Sequence, residues 1–114
     1  HEWLHPADEL YHGQRGTAEG MRIMATAYSS PEQRGTGFHE PMVWWIPYGE
    51  GKVFTTLLGH VGRNQNPETW PMRDVVFQSL VSRGCEWTAT GTVTVPCPGH
   101  LRRATETSLA RAAE

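Results

Sequence analysis

The sequence predicts an α/β fold in which a buried sheet is covered by helices in three layers, and three observations support this class. Apolar runs of strand length recur in the first half of the 114-residue chain. One later segment has the apolar periodicity of a helix. The chain also begins with histidine rather than methionine and reaches its first clear strand only near residue 21, which we interpret as the C-terminal half of a longer fold.

Three strands are predicted. The stretch MRIMATAY, residues 21–28, is apolar almost throughout, as expected of a strand buried on both faces. PMVWWIPY, residues 41–48, and KVFTTLLG, residues 52–59, are rich in β-branched and aromatic residues. Because a short glycine-rich turn joins them, the second and third strands are predicted to pair as a hairpin.

One helix is predicted over residues 69–83, where apolar residues recur at helical spacing. Thr69 is expected to cap its N-terminus, and Gly84 is expected to end it. The sequence TVTVP, residues 92–96, then predicts a short edge strand. Residues 99–114 form a polar tail that we expect to be poorly ordered.

The first five residues, HEWLH, spell the H-E-x-x-H signature of zinc metallopeptidases. That motif requires a helix, in which His1 and His5 share one face and Glu2 acts as general base. Pro6 stops such a helix and favours extended geometry at His5. We therefore predict that the protein is not a zinc metallopeptidase.

Composition excludes some partners and leaves other properties open. A net charge of −2 gives no field that attracts nucleic acid or an anionic membrane, and no apolar run is long enough to span a bilayer. Cys85 and Cys97 fit neither a C-x-x-C redox pair nor a paired zinc knuckle. The sequence names no cofactor and no compartment.

The most informative stretch for chemistry is YGEGKVFTTLLGH, because it ends a predicted strand on Gly59 and His60. Ligands bind at the carboxyl edge of open α/β sheets, where histidine can act as a general base or bind a metal. Two acidic sites, Asp8-Glu9 and Glu40, supply carboxylates that could converge on this edge. The alternative is a histidine that only hydrogen-bonds a neighbouring carbonyl. GxSxG is absent, so covalent catalysis is not predicted.

Five stretches together resemble the ThuA-like (trehalose utilisation) family. They are WLHPADELYH (3–12), ATAYS (25–29), HEPMVW (39–44), YGEGKVFTTLLGH (48–60) and RGCEWTATG (83–91). The resemblance implies the class I glutamine amidotransferase-like fold, a flavodoxin-like α/β/α sandwich roughly twice as long, with residues 1–98 as its C-terminal part. It also implies that Trp3 is the matching residue in HEWLH and that the flanking histidines are incidental.

The resemblance implies a role in the utilisation of carbohydrate, either trehalose or a related keto-sugar. The catalytic residues are then expected to be His60, Glu9 and Glu40, lining a polar pocket. The residues expected to bind a small-molecule sugar are Asp8, Tyr11, Trp44 and Gly59. The alternative is a non-catalytic amidotransferase-like module that mediates interaction or homo-oligomerisation, so the sequence leaves enzymatic activity open.

Overall fold

A computed structural model describes residues 2–16 and 18–98, and the predicted tail over residues 99–114 lies outside this part. The described residues form two compact units. The sheet unit comprises residues 9–58, and the helix unit comprises residues 2–8 together with residues 59–98. Three strands and one α-helix give a mixed α/β architecture across the described residues.

The sheet unit contains three antiparallel strands in the order β1-β2-β3. Strand β1 spans Arg22–Tyr28, β2 spans His39–Tyr48 and β3 spans Gly51–Thr56. Trp44 in the middle of β2 lies opposite Ile23 of β1 and Thr55 of β3. The predicted hairpin between the second and third strands is confirmed, with β3 ending three residues earlier than expected.

Burial in the sheet is concentrated on the central strand. Met42 and Val43 of β2 are buried, whereas Ile23 of β1 is 55% exposed and Met24 is 58% exposed. The prediction that the first strand is buried on both faces is therefore wrong. The reason is that β1 belongs to an antiparallel sheet, whose strands can face water, whereas a run buried on both faces is typical of parallel sheets.

The helix unit contains α1, which spans Val75–Thr90 and starts later than predicted. Asp74 caps it, because its side chain accepts a hydrogen bond from the Phe77 N–H at 3.1 Å. The predicted cap, Thr69, ends a 3-10 turn instead. The chain cannot continue helically from there, because Trp70 precedes Pro71 and adopts extended geometry.

The helix ends at Gly91, which has the left-handed φ of 78°, and not at Gly84, which is buried within it. A glycine ends a helix only where the chain turns into the left-handed region, and the chain does so at Gly91. Among the described residues, no helix has both the length and the apolar character to cross a membrane.

The predicted edge strand at residues 92–96 does not form. Its backbone groups are bound instead by side chains of α1. The Glu86 carboxylate accepts hydrogen bonds from the Thr94 N–H at 2.7 Å, the Val95 N–H at 2.9 Å and the Thr94 hydroxyl. The Arg83 guanidinium donates to the Val95 carbonyl. A segment whose N–H and C=O groups are used in this way has few left for a strand partner.

Candidate functional site

Asp8, the first residue of DELY (residues 8–11), binds the backbone of LGH (residues 58–60). Its Oδ2 accepts a hydrogen bond from the Gly59 N–H at 2.7 Å, and its Oδ1 accepts one from the His60 N–H at 3.0 Å. The structure thus brings together three of the residues that the sequence singled out. Because β3 ends at Thr56, these contacts lie in the loop that follows the strand and not at the strand end itself.

Gly59 is the position in this loop where only glycine fits. Its φ is +103°, a region that side-chain-bearing residues rarely adopt. A β-carbon built on Gly59 would lie 2.7 Å from Cζ of Phe77 in α1. Both constraints fix the backbone so that two consecutive N–H groups point at one carboxylate.

His60 follows this turn with an exposed side chain. Its backbone N–H donates a hydrogen bond to Asp8 Oδ1. A solvent-accessible imidazole beside a fixed backbone can exchange protons with a ligand that approaches from outside.

His5 connects Asp8 to a second carboxylate. Its Nε2 lies 2.8 Å from Asp8 Oδ2, and its Nδ1 lies 3.4 Å from Asp74 Oδ2, an ion-pair distance without hydrogen-bond geometry. The His5 side chain is 14% exposed and that of Asp8 is 7% exposed. The expectation that the histidines of HEWLH are incidental is therefore wrong for His5, which lies between two acidic side chains.

Asp74 is the most deeply buried member of this group, with a fully inaccessible side chain. Its Oδ2 caps α1, and its Oδ1 has no hydrogen-bond partner within the described part of the chain. A buried carboxylate is costly unless positive charge or N–H groups compensate it. Here the compensation comes from the helix N-terminus and from the ring of His5.

The charge of His5 follows from this environment. Burial by itself would lower the pKa of the imidazole, but Asp74 and Asp8 outweigh burial and raise the pKa above the ordinary 6.5. The geometry and the raised pKa agree that the charged ring is the favoured form. We call His5, Asp8 and Asp74 the acid-histidine cluster.

The other predicted site residues lie in the sheet unit. Glu9 accepts a hydrogen bond from the Tyr11 hydroxyl at 3.2 Å, so these two neighbours are in contact. Glu40, near the start of β2, accepts one from the Thr36 hydroxyl at 2.6 Å. Trp44 is partly buried in the middle of the same strand. Each carboxylate is therefore oriented by a hydroxyl donor from its own unit.

The zinc-peptidase arrangement is not formed. Residues 2–10 contain no helix, so the spacing of HEWLH cannot place its side chains on one helical face. Within the described ranges, no three His, Cys, Asp or Glu side chains are grouped so as to hold a metal ion.

Sequence reasoning did not identify His5 or Asp74 as members of a cluster. The predicted helix over residues 69–83 includes Asp74 in its interior, although an aspartate directly before VVF is also a cap signal. The signal at His5 was weaker, since a histidine three residues before an aspartate has no defined meaning outside a helix. What joins them is the folding of residues 2–8 onto the start of α1.

The described residues thus define a mixed α/β protein in which Asp8 binds the loop that carries Gly59 and His60. No protein-family model matches the chain, and no curated protein matches it. The chain is similar in structure to a protein from Parabacteroides merdae ATCC 43184 that is described as ThuA-like, with a TM-score of 0.83 and 41% sequence identity. The match covers 95% of this chain and 38% of that protein.

Proposed function

We propose that the chain is a C-terminal part of a ThuA-like domain with the class I glutamine amidotransferase-like, three-layer α/β/α fold, and that it serves in carbohydrate utilisation. The similarity to a ThuA-like protein over 95% of the chain supports the family. The chain spans 38% of that protein, so the activity of a whole ThuA-like protein is part of the proposal.

The observation that carries the proposal is the pair of hydrogen bonds from Gly59 and His60 to Asp8. The order and spacing of DELY and YGEGKVFTTLLGH make the resemblance specific, and these bonds give a physical reason for residues in both stretches. An aspartate is required to bind the two N–H groups, and a glycine is required to present them. A framework of this kind positions a site residue without using that residue's own side chain.

The proposed site is a polar pocket beside the loop that carries His60, and its ligand is trehalose or a related keto-sugar. His60 would transfer a proton to or from a sugar hydroxyl or carbonyl, and Glu9 and Glu40 would bind hydroxyl groups or act as acid and base. Tyr11 and Trp44 would stack on the sugar ring, while Asp8 and Gly59 would shape the binding surface. The hydroxyl donors beside Glu9 and Glu40 support this, because they orient each carboxylate.

The test is calorimetric titration of trehalose and of a keto-sugar into the unmodified protein and into His60→Ala. We expect binding to weaken by about tenfold or more, which is about 1.4 kcal/mol. The melting temperature should change by less than about 2 °C, because the ring is exposed to solvent. His39→Ala, another exposed histidine, is the control and should bind normally. Unaltered binding by His60→Ala, or no binding of either sugar, would contradict the proposal.

A second candidate function is a non-catalytic module that forms a homo-oligomer. The observation that favours it is the exposure of a large apolar side chain in the sheet unit, where Phe38 is 72% exposed. If Phe38 lies in a contact between two copies, light scattering should report a dimer that Phe38→Ser converts to monomer. A monomer at millimolar concentration would exclude this candidate.

A further inference from the structure

We propose that His5 is a positioning residue whose charged ring holds Asp8, and through Asp8 the backbone of Gly59 and His60, so that deprotonation of the ring loosens the loop carrying His60. This inference rests on the proposed function only for the catalytic role of His60. The coupling between the His5 ring and the loop is independent of any ligand.

The geometry favours the charged ring. One ring nitrogen lies 2.8 Å from an oxygen of Asp8, and the other lies 3.4 Å from an oxygen of Asp74. Both nitrogens carry hydrogen only in the imidazolium form. In either neutral tautomer, one nitrogen lone pair faces a carboxylate oxygen in a site sheltered from water. Deprotonation therefore turns one attraction into a repulsion, whichever tautomer forms.

A neutral ring with its N–H on Nε2 keeps the hydrogen bond to Asp8 and turns the Nδ1 lone pair toward Asp74. The resulting displacement falls on the segment of residues 2–8, which carries both His5 and Asp8, and not on Asp74. Asp74 is fully buried and is held by the N-terminus of α1 through the Phe77 N–H. Asp8 lies in the non-helical segment of residues 2–8, and its carboxylate oxygens contact His5, Gly59 and His60. Oδ2 of Asp8 contacts both the His5 ring and the Gly59 N–H. A displacement of the His5 ring therefore also disturbs the hydrogen bond from Gly59.

The charged groups that face the ring are Asp8 from the N-terminal segment and Asp74 from the start of α1. The loop after β3 meets this cluster through the N–H groups of Gly59 and His60. The ring thus has negative charge on both sides, and its own charge is the compensating element. The position of the loop therefore depends on whether the His5 ring is protonated.

Nuclear magnetic resonance on the full chain tests the coupling. The ring signals of His5 and the amide signals of Gly59 and His60 are followed from pH 5 to pH 9, a range chosen about the ordinary histidine value. We expect one shared midpoint for the ring and both amides. Above that midpoint the protection of the two amides against solvent exchange should fall by about tenfold, the factor that corresponds to about 1.4 kcal/mol.

His5→Gln keeps one N–H donor for Asp8 and removes the titration. In this variant the two amides should lose their pH response, whereas His39→Gln should retain it. Asp74→Asn gives a second test that keeps the helix cap, because asparagine also caps helices. It should move the shared midpoint of ring and amides to lower pH.

The inference is overturned if the amides stay constant while the His5 ring titrates, or if they follow the midpoint of the His60 ring instead. The unmodified protein alone decides this point, even if His5→Gln fails to fold. Failure of the proposed function looks different, since the amides would then titrate with His5 although no sugar binds. If sugar binds but the amide signals of Gly59 and His60 do not respond to pH, the inference is wrong and the proposed function is retained.

Discussion

The sheet unit and the helix unit are stabilised by different interactions. In the sheet unit, backbone ladders join three strands, and the buried side chains include Met42 and Val43 of the central strand. In the helix unit, the N-terminal segment and the loop at Gly59 are held by the acid-histidine cluster. Apolar burial does not depend on protonation, whereas the cluster depends on it directly. The helix unit should therefore be the one that responds to pH and to single changes of charge.

The largest expected effect is that of Asp74→Ala. The change removes the cap of α1 and the carboxylate that faces His5, and it leaves the charged ring buried beside one partner. We expect unfolding in guanidinium to show a loss of about 3 kcal/mol. The matched control is Ser30→Ala, which removes the cap of an exposed 3-10 turn in the sheet unit.

The control should cost less than about 1 kcal/mol, because that cap is exposed and no charge is involved. Asp74→Asn should lie between the two variants, since it keeps the cap and removes the charge. If Asp74→Ala and Ser30→Ala cost the same, the ion pair with His5 contributes nothing to the fold.

The next effect is that of Val43→Ala in β2. Val43 is fully buried, so the lost methyl groups and the remaining cavity should cost about 2 kcal/mol. Val53→Ala on β3, where the side chain is 42% exposed, is the control and should cost clearly less. The loss at Val43 should be equal at pH 5 and pH 9, an outcome that guanidinium midpoints measure. A pH-dependent loss would mean that the sheet unit also depends on titrating groups.

The same contrast explains how much could be predicted from the sequence. Strands β2 and β3 and their hairpin follow from local patterns, since two runs rich in β-branched and aromatic residues are separated by a short glycine-rich turn. Whether β1 is covered depends on its partners, which its own composition does not encode. The apolar run MRIMATAY therefore predicted the presence of the strand correctly and its burial incorrectly.

In the helix unit, local signals competed with one another. Thr69 and Asp74 are both acceptable caps and Gly84 and Gly91 are both acceptable ends, and the order of Trp70 and Pro71 decides where α1 starts. The link between Asp8 and the loop at Gly59 was predicted only as a shared site. The contact of His5 with Asp74 joins residues 69 positions apart, and no local pattern reports it.

A smaller effect is expected for the pH dependence of stability through His5. Its pKa in the folded protein lies above the ordinary 6.5, so the stabilisation is fully present below pH 6.5 and is lost as pH rises through the folded-state value. Guanidinium midpoints of the unmodified protein should therefore fall between about pH 6.5 and pH 9 more steeply than those of His5→Gln. His39→Gln in the sheet unit should follow the unmodified curve. Parallel curves for all three proteins would remove His5 as the origin of the slope.

The smallest effect is expected at Glu86, which binds the segment after α1 from a partly buried position. Hydrogen bonds from Thr94 and Val95 lower the pKa of this carboxyl below its ordinary 4.5. Its contribution is therefore present above pH 4.5 and lost as pH falls through the folded-state value. The amide signals of Thr94 and Val95 should shift only in that acidic range, and Glu86→Gln should abolish the shift, whereas Glu50→Gln in the sheet unit should leave it unchanged. If the amide signals of Thr94 and Val95 do not change with pH, the Glu86 carboxylate does not hold this segment. The contrast between the two units would then rest on the acid-histidine cluster alone.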